Sequence, residues 1–192
     1  EPEMDAWSLA NLWAGVKDLR IWLILGIRAF VLDRAAYREI ADNKRMTGPA
    51  LLLGIGIAIG TALIRADEDQ VVGTVVSSTF SWFLAVLAVY AAGRLLTKRG
   101  NYTRTFRTLG FAQVASLIEF ASLIPALAPV AILVSTIVSF IAVWMATAVA
   151  HDTRGWRTIV LPVVMVIVLI LIPLLMVVML SGAILSFESV LE

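Results

Sequence analysis

The sequence predicts an all-α polytopic membrane protein, with five transmembrane helices preceded by amphipathic helices that lie in the membrane interface. Three observations predict it. Hydrophobic residues make up 60% of the chain and mean hydropathy is +0.94, against about half apolar in a soluble domain. Five apolar tracts follow one another at residues 49–64, 71–93, 109–124, 130–150 and 159–185, and a spanning helix needs about 17–25 predominantly apolar residues. The segments between the tracts alternate in charge. Residues 1–48 carry seven basic side chains, 94–108 carry five (Arg94, Lys98, Arg99, Arg104, Arg107), and the connector near 154–157 carries two. The intervening segments hold only Arg65, so fourteen of the fifteen Lys and Arg residues fall on one side. The positive-inside rule then puts the N-terminus in the cytoplasm and the C-terminus outside.

The chain divides into two parts, 1–48 as interfacial helices and 49–192 as the transmembrane domain. Residues 5–32 read as helix, capped by Ser8 or Asp5. Leu9, Leu12, Trp13, Val16 and Leu23 recur at helical spacing, and Trp7, Trp13 and Trp22 suit an interface where the indole buries its ring and hydrates its N–H. The apolar run 21–27 is bracketed by Arg20 and Arg28 and is too short to span, which predicts an interfacial or re-entrant helix. A second amphipathic piece covers Arg34 to Asp42. Thr47-Gly48-Pro49 breaks the chain, and proline suits the first turn of the next helix.

The first span is short and glycine-rich. Gly54, Gly56 and Gly60 do not form a phosphate loop, because they sit inside an apolar run rather than between strand and helix; they read as helix-packing positions. Asp67, Glu68 and Asp69 form an acidic outer connector with too few spaced oxygens for calcium. Thr74, Ser77, Ser78, Thr79 and Ser81 line the outer half of the second span, where such hydroxyls can bond back to their own helix. The third and fourth spans share one tract broken by Pro125 and Pro129, which predicts a tight helical hairpin. Proline at 173 predicts a kink in the fifth span.

Little chemistry is encoded. There is no Cys, which excludes disulfides and thiolate sites. The only His, His151, reads as an interfacial residue at the end of the fourth span, and a lone imidazole supplies too few ligands for a metal. No HExxH, Walker or Ser-His-Asp pattern occurs, so no cofactor is expected. A net charge of +1 gives no reason to expect a nucleic acid partner. Glu119 is the one ionisable residue inside a span. Such groups face the bundle interior, find partners or stay protonated. At 1.5 Å per residue it sits about 9 Å below Pro125, at the depth of Ser77 and Ser78, with Gln113 and Ser116 below it at three-residue steps. A second-span hydroxyl is its expected neighbour, and either a proton or cation relay or a packing role follows. The basic stretch 94–107, with Tyr102 and Phe106, is suited to anionic headgroups or an acidic partner.

Several short stretches together resemble the Yip-one domain family, the Ypt/Rab-interacting membrane proteins, and its bacterial branch in particular. They are Tyr37-Arg38-Glu39-Ile40, Thr47-Gly48, the run Thr105-Phe106-Arg107-Thr108-Leu109-Gly110-Phe111-Ala112, Ile124-Pro125 and Trp144. The resemblance covers about Asp33 to the end. Ala115 stands where proline is usual, Ala128 where glycine is usual, and Glu119 lies outside the family pattern. The resemblance implies five spans with a cytoplasmic N-terminus, and a link to small-GTPase binding, vesicle traffic and membrane shaping; the segment tied to those partners is not recognisable here. The combined expectation is a non-enzymatic membrane scaffold in the bacterial cytoplasmic membrane, with lipids and other membrane subunits as partners. The alternatives are an accessory subunit of a larger, energy-transducing complex and a small transporter using Glu119.

Overall fold

A computed structural model describes residues 4–66 and 68–153, together with the single positions 160, 163 and 167. The described chain is all helix and turn, with no strand among the described residues. Its helices are α1 (Leu9–Lys17), α2 (Leu19–Phe30), α3 (Arg34–Asp42), α4 (Thr47–Arg65), α5 (Val71–Thr97), α6 (Tyr102–Ala112) and α7 (Ala128–Ala150). Short 3-10 turns cover Met4–Trp7, Lys44–Met46, Glu68–Gln70 and Pro125–Leu127, and a long 3-10 stretch, Gln113–Leu123, continues α6.

Three helical segments among the described residues are long and apolar enough to cross a membrane: Lys44–Arg65, Val71–Thr97 and Pro125–Ala150. They coincide with the first, second and fourth expected tracts. The fifth tract and its proline lie almost wholly outside the described residues. The third is built differently from a regular α-helix. Its 3-10 portion rises about 2.0 Å per residue where an α-helix rises 1.5 Å. A sixteen-residue apolar tract, 109–124, therefore reaches about 30 Å, the thickness of a hydrocarbon core, where α geometry would give about 24 Å.

The N-terminal segment is not one helix over 5–32. Ser8 caps α1, its hydroxyl accepting from the Asn11 N–H at 3.3 Å, and the chain breaks at Asp18, whose ψ is 57°. The two halves dock on different partners, which one straight helix could not reach. Gly15 lets α1 lie against the Arg45 carbonyl, and Gly48 in turn accepts the Leu12 carbonyl. α2 instead packs on α3, α6 and the long 3-10 stretch. Across the break the Trp22 indole N–H donates to the Val16 carbonyl at 3.3 Å.

α3 is capped by the Asp33 carboxylate, which accepts from the Ala35 N–H at 2.8 Å. Tyr37 and Ile40 of α3 are fully buried and share one core with Ala50, Trp82, Phe106, Phe111 and Ala146. The amphipathic N-terminal helices and the apolar bundle are therefore packed as one body. α6 runs through its middle, touching α2, α3, α4, α5 and α7. Phe106 is the hub: Trp7, Trp82, Tyr102 and Phe83 pack around it with ring centroids at 4.8, 5.4, 6.1 and 6.3 Å. One turn on, Gly110 brings α6 so close to α4 that a Cβ there would lie 2.5 Å from the Ala50 carbonyl oxygen. The stretch 105–112, which carries the clearest family resemblance, is buried throughout, so its residue types follow from packing at the centre of the fold.

Candidate functional site

Polar chemistry gathers at the two ends of the bundle. At the end carrying the acidic connector, Glu119 projects from the 3-10 stretch and is 5% exposed. Its carboxylate accepts from Arg65 at both oxygens, from Nε at 2.5 Å and from Nη2 at 2.7 Å. Arg65 is the last residue of α4, and its side chain is 65% exposed. This corrects the expectation that a hydroxyl of the second span would serve Glu119. The Ser77 hydroxyl instead bonds the Thr74 carbonyl of its own helix at 3.1 Å, and Ser78 is half-buried. The reason is reach. A guanidinium at a helix end spans the distance to a buried carboxylate with two charge-assisted bonds, where a serine offers one neutral bond. The single basic residue that departs from the charge alternation thus has a partner inside the bundle.

The 3-10 geometry also orders the polar row. With three residues per turn, side chains at three-residue steps eclipse one another, so Gln113, Ser116 and Glu119 stand on one line. Ser116 reaches the Ser139 hydroxyl of α7 at 3.2 Å, and Gln113 is half-buried. Six residues at about 2.0 Å each set Glu119 about 12 Å from Pro125, deeper than an α-helical count places it. The glycines of α4 differ in their surroundings. Gly54 lies against the Trp82 ring, and a Cβ on Gly60 would stand 2.7 Å from Phe120 Cζ. Gly56 faces open space, which in a bilayer is lipid or another chain.

At the opposite end His151 caps α7 and is fully buried. Its place at the end of the fourth span is the one expected from the sequence, and the packing adds its complete burial. Its Nδ1 lies 3.0 Å from the Arg99 carbonyl, which only accepts, so Nδ1–H is the donor. Nε2 faces the Thr105 hydroxyl at 3.4 Å. Gly93 of α5 and Gly100, at φ 80°, leave room for the ring on either side. Burial pushes the imidazole below its ordinary value, and the positive charge of Arg104 adds to this, against the opposing hydrogen bond to Arg99 and the charge of Asp152. The neutral ring pins the α5–α6 loop to the end of α7.

The five basic residues of 94–107 separate into two groups. Arg94, Lys98 and Arg99 are exposed. Arg104 and Arg107 are drawn inward. Arg104 bridges Asp42 of α3 and Asp152 beyond α7, both at 3.0 Å. Arg107 is 4% exposed. Its Nε donates to the Thr103 carbonyl at 3.2 Å, and its Nη1 is buried without a hydrogen-bond partner among the described residues. Desolvation, with repulsion from Arg104, pushes its guanidinium down to about 10, against the pull of Asp42. Charge alone does not mark Arg107 off from its four basic neighbours, although it is the one of the five inside the 105–112 stretch that resembles the family. Its place on the inward face of α6, one turn from Thr103, is visible only once that face is known. A third cluster joins Arg28 to Asp33 at 2.8 Å and to Glu39 at 3.1 Å, tying α2 to α3. Among the described residues no group of three or more His, Cys, Asp or Glu is placed to hold a metal.

These arrangements can clamp helices, present positive charge and hold an anion. A family model described as Yip1 domain matches residues 27–182, from the last turn of α2 through the polar groups at both ends of the bundle. No curated protein matches the chain, and no solved structure does.

Proposed function

The chain belongs to the Yip1 domain family, and from that premise we propose that it is a non-enzymatic membrane organiser that engages lipids and other membrane proteins through helix faces and a basic cytoplasmic surface. Its residues 1–48 and the α5–α6 loop face the cytoplasm in this reading, and residues 49–192 form five spans. The charge alternation supports this orientation.

The observation that carries the reading is the clamped basic end. Arg104 ties α3 to the end of α7, and His151 ties that end to Arg99. Arg94, Lys98 and Arg99 are left exposed on the locked surface. A preorganised charged surface loses less ordering entropy on binding than a loose loop does. The exposed glycine of α4, Gly56, offers a second contact on the apolar flank.

A transport role for Glu119 has less support. Its two oxygens are occupied by Arg65, and a relay group must release and exchange its partner. The two larger described clefts, between α2 and the 3-10 stretch and between α1 and α4, are lined by apolar side chains. An accessory role in a larger complex is compatible with the same surfaces.

Binding of the purified protein, in neutral-lipid nanodiscs, to vesicles containing anionic lipid tests the organiser reading. Association should weaken as salt rises, since exposed charges are screened within about 8 Å at physiological ionic strength. It should also weaken when Arg94, Lys98 and Arg99 are changed to Gln. Association that ignores both salt and these changes would overturn it. Solute flux in liposomes that is abolished by Glu119→Gln would put the transport reading in its place.

A further inference from the structure

We propose that the pocket at the start of α6 is a phosphate-binding site, with Arg107 as its anchoring cation. This deepens the organiser reading and rests on it, since the ligand approaches from the same basic face.

The pocket has a volume of about 180 Å³ and is lined by Asp42, Lys44, Asn101, Thr103, Arg104 and Arg107. Three of these side chains are cationic and one is anionic, so the lining is net positive. The anion is already engaged, because Asp42 is bound by Arg104 at 3.0 Å. Arg104 is further held by Asp152 at 3.0 Å, and its Nε is buried without a partner among the described residues. Arg107 is the decisive group. It is 4% exposed, and its Nη1 donor has no hydrogen-bond partner among the described residues. A buried charged donor left unpaired is costly, and a fold retains one at little cost when a ligand supplies the acceptor. The depression of the Arg107 guanidinium to about 10 reports the same desolvation.

The ligand that fits is a tetrahedral oxyanion. Arg107 Nη1 and Arg104 Nε offer two charge-assisted donors to separate oxygens, and Lys44 adds positive charge at the rim. α6 has eleven residues and points its N-terminal end at the pocket side, capped by the Asn101 carboxamide, which accepts from the Arg104 N–H at 2.8 Å. Its dipole adds positive potential there. Size limits the occupant. Sites for drug-sized ligands run to about 300–1,000 Å³, so this pocket takes one phosphate group and not a whole nucleotide. That group is either free inorganic phosphate or the headgroup phosphate of a lipid.

The test uses the full chain in phosphatidylcholine nanodiscs, with thermal unfolding as the readout because a ligand that binds the folded state raises the midpoint. One arm titrates inorganic phosphate. The other replaces part of the phosphatidylcholine with phosphatidic acid. A saturable rise in the first arm assigns the site to the free anion, and a rise in the second alone assigns it to a headgroup. Arg107→Gln should weaken binding at least tenfold in whichever arm responds. Should that variant not fold, Lys44→Gln at the exposed rim should weaken binding severalfold. Combined Arg94→Gln and Lys98→Gln changes, outside the pocket, should leave the saturable midpoint shift unchanged while reducing salt-sensitive vesicle association. Absence of a saturable shift in both arms overturns the site. So does a shift that survives both Arg107→Gln and Lys44→Gln, or one lost equally with Arg94 and Lys98. In each of these cases salt-sensitive vesicle association still reports separately on the organiser reading.

Discussion

Adding one methyl group at Gly93 should separate a packed glycine from an open one. The His151 ring lies so close to Gly93 that a Cβ there would overlap three ring atoms. The ring cannot withdraw: it is fully buried, and Nδ1–H is held by the Arg99 carbonyl at 3.0 Å. Forcing an extra carbon into such a site costs about 1–3 kcal/mol. Alanine also favours the helix over glycine by about 0.8–1 kcal/mol. Gly93→Ala should therefore destabilise by about 0–2 kcal/mol. Gly56→Ala, in the middle of α4 with nothing within 4 Å, should stabilise by about 0.8–1 kcal/mol. The difference between the two variants removes the helix preference and leaves about 1–3 kcal/mol of overpacking. At about 2–4 °C per kcal/mol for a chain of this size, the midpoints should differ by about 2–12 °C. Thermal unfolding in a single detergent, followed by tryptophan fluorescence, measures it. In a His151→Ala background the penalty should vanish, because the ring that the methyl meets is gone. Equal midpoints for Gly93→Ala and Gly56→Ala, with His151 intact, would refute the packing argument.

Three further outcomes follow from the same contacts. Arg65→Ala should destabilise by about 1–2 kcal/mol, the usual value of a charge-assisted bond discounted for the exposure of Arg65; a double-mutant cycle with Glu119→Gln should show coupling, and simple additivity would count against the pair. His151 is held neutral when folded, its value pushed below that of the unfolded chain, so its contribution is fully present above about pH 6.5. That contribution should fade as pH falls from there toward the folded value, because the unfolded chain then binds the extra proton; unfolding midpoints between pH 7.5 and 5.0 check this, and His151→Gln should flatten the profile. Reporter fusions after Gln70 and Glu192 should read as external and one after Asn101 as cytoplasmic, and a cytoplasmic C-terminus would reverse the proposed orientation.

What the chain declares by itself is whatever sums along one dimension. Hydropathy over about twenty residues identified the membrane class, and α4, α5 and α7 begin within about two residues of where the apolar tracts begin. Local chemistry was equally legible. Ser8, one of the two caps expected, caps α1, α3 covers the expected Arg34–Asp42, and Pro49 sits in the first turn of α4, because caps and proline act through neighbours on the same few residues. The break at Asp18 was not legible, since it arises from the different docking partners of α1 and α2.

The sites were decided by which helix faces meet. Arg65 and Glu119 are 54 positions apart, and by charge counting alone Arg65 is an exception to the topology rule rather than the partner of a buried acid. The same counting treats Arg94 through Arg107 as one basic run. Only the central position of α6 turns Arg107 inward and leaves Arg94 and Lys98 outside. The 3-10 stretch that lengthens a sixteen-residue tract, and the burial of a histidine at a helix end, likewise depend on contacts with α4, α5 and α7. Polar groups inside a bundle take their roles from the partners that packing brings within hydrogen-bond distance, and that distance has no counterpart in the order of residues along the chain.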